Sequence, residues 1–127
     1  MVAFDKTAER KAGIAMVTED RRGEGIIPAA SSQDNLTLAA IKTLTDVGFV
    51  LNAKKELDAA KRMMQAMSIR LASVDQPIRN LSGGNQQKVI LGRWMLLPLK
   101  VLILDEPTRG IDVGSKQEVH QLIRSLV

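Results

Sequence analysis

Cysteine and tyrosine are absent from this chain of 127 residues, which contains only two phenylalanines, one tryptophan and one histidine. Without cysteine the chain can form neither a disulfide nor a thiolate metal site, and a single imidazole excludes a histidine cluster. So few aromatic side chains provide no stacking platform for single-stranded nucleic acid. The net charge of +4 is spread along the sequence, which favours solvated helix faces over a nucleic-acid groove. We therefore expect no nucleic-acid partner.

Long apolar runs and a phosphate-binding loop are also missing. No segment approaches the roughly 18 consecutive apolar residues of a membrane-spanning helix, and the first residues lack the apolar region of a signal peptide. We therefore expect any membrane role to act through a partner. None of the nine glycines precedes a lysine, so the sequence contains no G-x-x-x-x-G-K-[ST] loop to cradle the phosphates of a nucleotide.

Residues 81–88 read LSGGNQQK and precede an apolar segment with the pattern of a helix. The hydroxyl of Ser82 and the amides of Gly83 and Gly84 would lie at the N-terminus of that helix, which is a favourable place for a phosphate. Serine beside paired glycines is also ordinary turn chemistry. The motif therefore gains meaning only from the segment that follows it.

That second segment, residues 101–112, reads VLILDEPTRGID. Its apolar run ends in two carboxylates, Asp105 and Glu106, which is typical of a buried parallel strand that delivers acidic groups to the edge of a sheet. Asp112 is placed to cap a helix over the remaining residues. Together, the two segments indicate nucleotide chemistry.

In this order the two segments resemble the ABC-type ATPases, with LSGGNQ as the signature motif, VLILDE as the Walker B strand and GID as the D-loop. The resemblance implies ATP and Mg²⁺ as ligands, with Asp105 on the magnesium side, usually through water. Glu106, pointing to the opposite side of the strand, would be the catalytic base that accepts a proton from the attacking water. The residues implied to bind the ATP of the opposite site are Ser82, Gly83, Gly84, Asn85 and Gln86.

A second strand is predicted over residues 14–17, where an apolar run lies between turn residues. It is followed by Glu19, Asp20 and Arg21. In the second nucleotide-binding half of bacterial monosaccharide importers, a strand followed by Glu-Asp-Arg stands where other ABC ATPases carry the Q-loop. The resemblance thus makes Glu19 the Q-loop equivalent, where its charge beside Asp105 and Glu106 leaves ordinary turnover an open question. The alternative is a plain surface turn.

We predict one truncated α/β domain, a partial P-loop NTPase domain dominated by the helical signature subdomain with a remnant of the parallel core sheet. Residues 1–27 would form a core-sheet segment with the charged loop, residues 28–97 the helical subdomain, and residues 98–127 the Walker B strand, D-loop and following helix. Within the helical part we expect an amphipathic segment over residues 35–44 ended by Gly48. A second helix, capped by Asn52, would place its methionines in the core. His120 is expected on the last helix, partly exposed and without a catalytic role.

The resemblance to monosaccharide importers implies an internal fragment of the ATPase subunit of a ribose, xylose, arabinose or galactose type of importer, peripheral on the cytoplasmic side of the inner membrane. Its partners would be a second ATP-binding domain in a head-to-tail dimer, transmembrane permease subunits and, indirectly, a periplasmic sugar-binding protein. Asp112 would lie at the seam between the two ATP sites. Two alternatives stay open: an ABC-type ATPase of DNA repair or translation, although no sustained heptad occurs, and a non-catalytic docking module.

Overall fold

The computed structural model describes residues 12–20, 23, 25–44 and 50–127. Within these residues two strands and four α-helices follow one another along the chain. They are β1 (Ile14–Val17), α1 (Ser32–Thr37), α2 (Ala53–Ala66), α3 (Gly83–Met95), β2 (Val101–Leu104) and α4 (Val113–Ser125). Short 3-10 helices cover Leu38–Thr43 and Ile78–Asn80.

The two strands pair in parallel, with Val17 opposite Leu104. At their start Gly13, which has a φ of +79°, accepts hydrogen bonds from the amides of Lys100 at 2.7 Å and Val101 at 3.1 Å. Glycine suits this position because left-handed backbone is costly for other residues. Both predicted strands are confirmed, with the bounds expected from the sequence.

The expected burial of β2 on both faces is wrong for the described residues. Val101 and Ile103 are 49% and 47% exposed, whereas Leu102 and Leu104 pack against the core. Side chains alternate between the two faces of a strand, and none of the described elements covers the face that carries Val101 and Ile103. The result is a strand with one covered face rather than two.

Helix α1 begins earlier than the sequence pattern predicts. The hydroxyl of Ser31 accepts a hydrogen bond from the amide of Asp34 at 2.9 Å, and this cap starts the helix at Ser32. The chain then tightens into the 3-10 helix from Leu38. The predicted single segment over residues 35–44 is therefore an α-helix followed by a 3-10 helix, and its predicted end at Gly48 lies outside the described residues.

A buried polar cluster fixes α1 against α3. The side chain of Asn35 is fully buried, and its amide accepts from the backbone N–H of Ile27 at 2.8 Å and donates to the carbonyls of Ile27 and Ser31, each at 3.0 Å. Arg93 of α3 donates its Nε to the carbonyl of Asn35 at 2.7 Å. These bonds satisfy polar groups that would be costly to bury unpaired.

Helix α2 confirms the prediction from its cap and methionines. The side chain of Asn52 accepts from the amide of Lys55 at 3.0 Å, and Met64 and Met67 are buried in the core. Flexible thioether side chains fill irregular space between helices. The core that they join also contains Leu36, Ala60, Ile78, Val89, Leu91 and Val119.

Three further expectations concern His120, the charged loop after β1 and membrane-spanning helices. His120 lies on α4 and is exposed, consistent with the predicted surface position. Arg21, the last residue of the Glu-Asp-Arg sequence, lies outside the described residues. No helix in the described part of the chain combines the length and apolar character needed to cross a bilayer.

Candidate functional site

Three acidic residues meet at one edge of the sheet. Asp105 and Glu106 follow β2 directly, and Glu19 lies two residues beyond the end of β1. Because parallel strands end at the same edge, the register of β1 and β2 brings these residues together. The amide of Asp105 donates to the carbonyl of Val17 at 2.9 Å, which extends the pairing past the last strand residue.

Arg109 lies between two of these carboxylates. Its backbone amide closes the turn by donating to the carbonyl of Glu106 at 3.1 Å. Its Nη1 donates to the carboxylate of Glu19 and lies 3.6 Å from Oε2 of Glu106. The hydrogen bond to Glu19, the charge of Glu19 and then the charge of Glu106 raise the pKa of Arg109. Sequence reasoning missed this residue, for which the available signal was a basic side chain three positions after Glu106.

Glu106 has a left-handed backbone, with a φ of +44°. This conformation is uncommon outside glycine and costs of order 1 kcal/mol or more. The sequence argument placed Glu106 opposite Asp105 by the alternation of a strand. That reason is wrong because Glu106 lies beyond the end of β2, where its own dihedral angles set its direction.

The acidic edge suits a magnesium ion that arrives with a nucleotide. Within the described residues no group of three or more His, Cys, Asp or Glu side chains is arranged to hold a metal ion. Mg²⁺, however, is commonly bound by one or two carboxylates together with phosphate oxygens and water. Asp105 is exposed at the strand end, so the described part of the chain offers one such ligand and no complete cage.

Ser82 caps helix α3. Its Oγ accepts a hydrogen bond from the amide of Asn85 at 3.2 Å, and the side chain is exposed. A hydroxyl has one proton to donate and two positions at which it accepts. Because the cap uses an accepting position, the O–H group of Ser82 can still donate to an anion at the helix N-terminus.

Gly84 is buried against α4 rather than exposed beside Ser82. A Cβ at Gly84 would lie 2.7 Å from Cβ and 3.0 Å from Oγ of Ser115. The structure therefore gives a second reason for glycine in the motif, since only a hydrogen atom fits between α3 and α4. The sequence argument had considered only the approach of a phosphate.

The next two residues of the motif hold its surroundings in place. Asn85 accepts from the amide of Arg70 through its side-chain oxygen at 3.1 Å. The side chain of Gln86 is buried and donates to the carbonyls of Ile78 at 3.2 Å and Leu81 at 3.1 Å. Both side chains thus tie the helix start to the preceding loop.

Asp112 caps helix α4, as predicted. Its Oδ1 accepts from the amide of Ser115 at 3.0 Å, and this hydrogen bond is the main cause that lowers the pKa of Asp112. Because Ser115 also contacts Gly84, the capped ends of α3 and α4 lie side by side. The structure therefore brings the residues predicted to form the signature motif next to Asp112, the residue predicted to belong to the D-loop.

A buried cation joins the same two helices further along. The side chain of Lys88 is only 5% exposed, and its Nζ donates to Oε2 of Glu118 at 2.9 Å and to the carbonyl of Ser68 at 3.2 Å. Arg70 lies 3.5 Å from the other oxygen of Glu118. The hydrogen bond and charge of Lys88 lower the pKa of Glu118. The sequence analysis did not identify this contact.

Comparison with known protein families gives a match over residues 2–109 to the family described as ABC transporter. The chain is 50% identical over 122 residues to the ribose import ATP-binding protein RbsA 1 of Streptomyces avermitilis, covering 96% of this chain and 23% of that protein. It is 48% identical over 114 residues to the arabinose import ATP-binding protein AraG of Pectobacterium atrosepticum, covering 90% and 22%. The chain therefore spans about a quarter of the length of these relatives.

Two solved structures are similar in fold. One is the dimeric structure of MJ0796, a bacterial ABC transporter cassette, with a TM-score of 0.72 at 21% identity, covering 94% of this chain and 49% of that one. The other is a dimeric post-hydrolysis state of the same cassette bound to ADP and Pi, with a TM-score of 0.70 at 20% identity, covering 97% and 52%. At this identity the likeness concerns the fold alone.

Proposed function

The chain belongs to the ABC transporter family, and from that premise we propose that it supplies the signature helix, acidic strand end and D-loop of an ATP-hydrolysing subunit. The predicted fold, a partial ATPase domain dominated by its helical part, is confirmed by the likeness to ABC cassettes. The observation that carries the proposal is the exposed Ser82 cap at the N-terminus of α3. A phosphate group is favoured at such a helix end.

We propose that the whole protein drives the import of a monosaccharide. The relatives named above are import ATP-binding proteins for ribose and arabinose, which favours import over DNA repair or translation. A chain that spans about a quarter of such a subunit and lacks a G-x-x-x-x-G-K-[ST] loop is proposed to work within the complete subunit. By itself it would act as a non-catalytic module.

The signature segment is proposed to act on ATP held by the opposite ATP-binding domain. Ser82 would donate its hydroxyl proton to the γ-phosphate, and the amides of Gly83 and Gly84 would add positive potential at the helix end. Asn85 and Gln86 would support this arrangement through their bonds to the preceding loop. Donors fixed before the reaction are effective because they need no reorganisation as charge develops on the phosphate.

The acidic edge is proposed to serve this domain's own ATP site. Glu106 would accept the proton of the attacking water, a role typically worth about 10² to 10⁴ in rate. Asp105 would hold Mg²⁺ through water, and the ion when bound would offset the charge of the phosphates. Glu19, the Q-loop equivalent, would lie beside the attacking water.

The partners are proposed from the same arrangement. Asp112 and Ser82 cap neighbouring helix ends, so one face of the chain would contact a second ATP-binding domain, with Asp112 at the seam. The helical part from residue 28 to 97 would dock on transmembrane permease subunits, with a periplasmic sugar-binding protein acting indirectly. We propose that the subunit then lies at the cytoplasmic face of the inner membrane.

Two matched serine variants test the role of Ser82 in the complete transporter. Ser31→Ala and Ser82→Ala each remove an N-cap hydroxyl, at α1 and α3 respectively, and each should cost about 1 kcal/mol of stability. Only Ser82→Ala should also reduce ATP hydrolysis, by roughly 10² to 10³ for a lost donor, with nucleotide binding nearly unchanged. Equal hydrolysis rates in the two variants would exclude Ser82 as a phosphate donor.

A simpler measurement tests whether the isolated chain contains a complete ATP site. The isolated chain of 127 residues should release no phosphate from ATP above background, because it lacks the loop that cradles the nucleotide. Glu106→Gln serves as the control for contaminating activity. Phosphate release by the purified chain that disappears in this variant would show that it contains a complete site.

A further inference from the structure

We infer that Arg109 is a positioning residue that balances the charge of Glu19 and thereby allows Glu106 to work as a base. The inference rests on the proposed function of the acidic edge and extends it to a residue to which the motifs assign no role. One nitrogen of Arg109 contacts both carboxylates, by a hydrogen bond to Glu19 and at 3.6 Å from Glu106.

Charge counting shows why a cation is needed at this edge. Asp105 and Glu106 already bring two negative charges to the strand end, and Glu19 adds a third from the neighbouring strand. Like charges this close oppose one another and also oppose a phosphate that carries negative charge. Arg109 reduces the excess at the point where Glu19 and Glu106 converge.

The local backbone is suited to this arrangement. Arg109 lies three residues after Glu106, and its amide bonds to the carbonyl of Glu106 at 3.1 Å, so the turn returns the arginine towards the strand end. Glu106 is held in a left-handed conformation at the start of the same turn. Strain of this kind persists only where surrounding contacts over-determine it, and the backbone hydrogen bond from the amide of Arg109, which does not depend on its side chain, is among them.

The role is electrostatic rather than a matter of fold stability. The side chains of Arg109, Glu19 and Glu106 are 61%, 46% and 63% exposed. Exposed ion pairs contribute little to the free energy of folding, so substitutions here should leave the fold intact. Their effect should appear in the chemical step, where the balance of charge beside the phosphate matters.

The test measures kcat and KM for ATP in the complete, reconstituted transporter. Arg109→Gln should lower kcat by roughly a hundredfold, which is the size expected for one uncompensated charge about 6 Å from the reacting groups at the effective dielectric constant of about 20 near a protein surface. KM should change by less than about threefold, because the chain contains no G-x-x-x-x-G-K-[ST] loop to hold the nucleotide and Arg109 is not proposed to bind it. Arg124→Gln removes an exposed arginine of α4 and should leave both values unchanged.

Two further variants separate charge balance from other roles. Arg109→Lys should retain most of the activity, because a single nitrogen makes both contacts and an ammonium group can replace it. In a Glu19→Gln background, Arg109→Gln should lower kcat by less than about threefold relative to Glu19→Gln alone, because the charge that needed balancing is already gone. A merely structural arginine would cost as much in either background.

The outcomes are distinct. If the wild-type protein hydrolyses ATP and Arg109→Gln matches Arg124→Gln, the inference about Arg109 is wrong while the proposed function stands. An effect of Arg109→Gln on kcat that is as large in the Glu19→Gln background as in the wild-type protein would also overturn it. If the wild-type protein with its partners shows no ATP hydrolysis, the proposed function fails, and the inference fails with it.

Discussion

Replacement of Gly84 by alanine tests the contact between α3 and α4. The new Cβ would lie 2.7 Å from Cβ of Ser115, about 0.7 Å closer than the 3.4 Å at which ordinary contacts begin. The obstructing atoms belong to a short side chain held in a helix, so α3 and α4 must move apart. Overpacking of this kind typically costs about 1 to 3 kcal/mol.

Gly114 provides a matched control for this substitution. Gly84 and Gly114 are each the second residue of a helix, so the gain in helix propensity from glycine to alanine is similar at both positions. The nearest atom to a Cβ at Gly114 lies 3.6 Å away, which is ordinary contact. We expect Gly114→Ala to be neutral or slightly stabilising, and Gly84→Ala to lower Tm by roughly 4 to 12 °C.

Thermal unfolding followed by circular dichroism measures the difference, and Ser115→Gly tests its cause. In the Gly84→Ala background this second substitution removes the atoms that obstruct the new methyl group. It should therefore destabilise less there than in the wild-type chain, with a coupling energy of about 1 kcal/mol or more. Equal stability of Gly84→Ala and Gly114→Ala would refute the packing argument.

Three other measurements follow from the structure. Lys88 lowers the pKa of Glu118, so their contact should stabilise the folded chain at pH values above the ordinary glutamate pKa of about 4. This stabilisation should disappear as the pH falls through the lower pKa of Glu118 in the folded chain. In Glu118→Gln, the free energy of unfolding should therefore depend less on pH in the acid range. Asn52→Ala removes the cap that accepts from the amide of Lys55 and should lower the unfolding free energy by about 1 kcal/mol. Urea titration measures this change, and an unchanged midpoint would contradict the prediction. In the isolated chain each strand keeps one edge unpaired within the described residues, so sedimentation should show self-association that grows with concentration, and a strict monomer would contradict this.

The elements with strong local signals could be predicted from the sequence. Ile14–Val17 and Val101–Leu104 are short apolar runs between turn residues, and both form the expected parallel strands. Asn52 and Asp112 precede helical patterns and cap helices as expected. In each case the information lies within a few residues of the element that it specifies.

The start of α1 was missed because the prediction relied on the apolar pattern, which does not report the cap that sets the start of the helix. The apolar pattern begins at Asn35, but the helix begins at Ser32 behind the Ser31 cap. Asn35 also bonds to Ile27 and receives a hydrogen bond from Arg93, which is 58 residues away in the chain. Periodicity describes one face of a helix and cannot report such distant partners.

The candidate site could also be predicted only in part. The motifs placed the acidic residues and the Ser82 cap on the correct elements, and their functional roles remain predictions. The contact between Arg109 and Glu19 joins residues 90 positions apart, and that between Lys88 and Glu118 joins residues 30 positions apart. Parallel pairing and helix packing create both contacts, so no local pattern could reveal them.

The pairing register of the short sheet sets the position of Glu19 relative to Asp105 and Glu106. Four residue pairs join β1 to β2, and a strand advances about 3.3 Å per residue. A slip of one residue would therefore carry Glu19 about 3.3 Å along the sheet and reverse the face on which it lies. Gly13, at the opposite end of β1, accepts hydrogen bonds from the successive amides of Lys100 and Val101, and these bonds help to fix the register of the two strands. A substitution at Gly13, although remote from every carboxylate, should therefore shift Glu19 relative to Asp105 and Glu106.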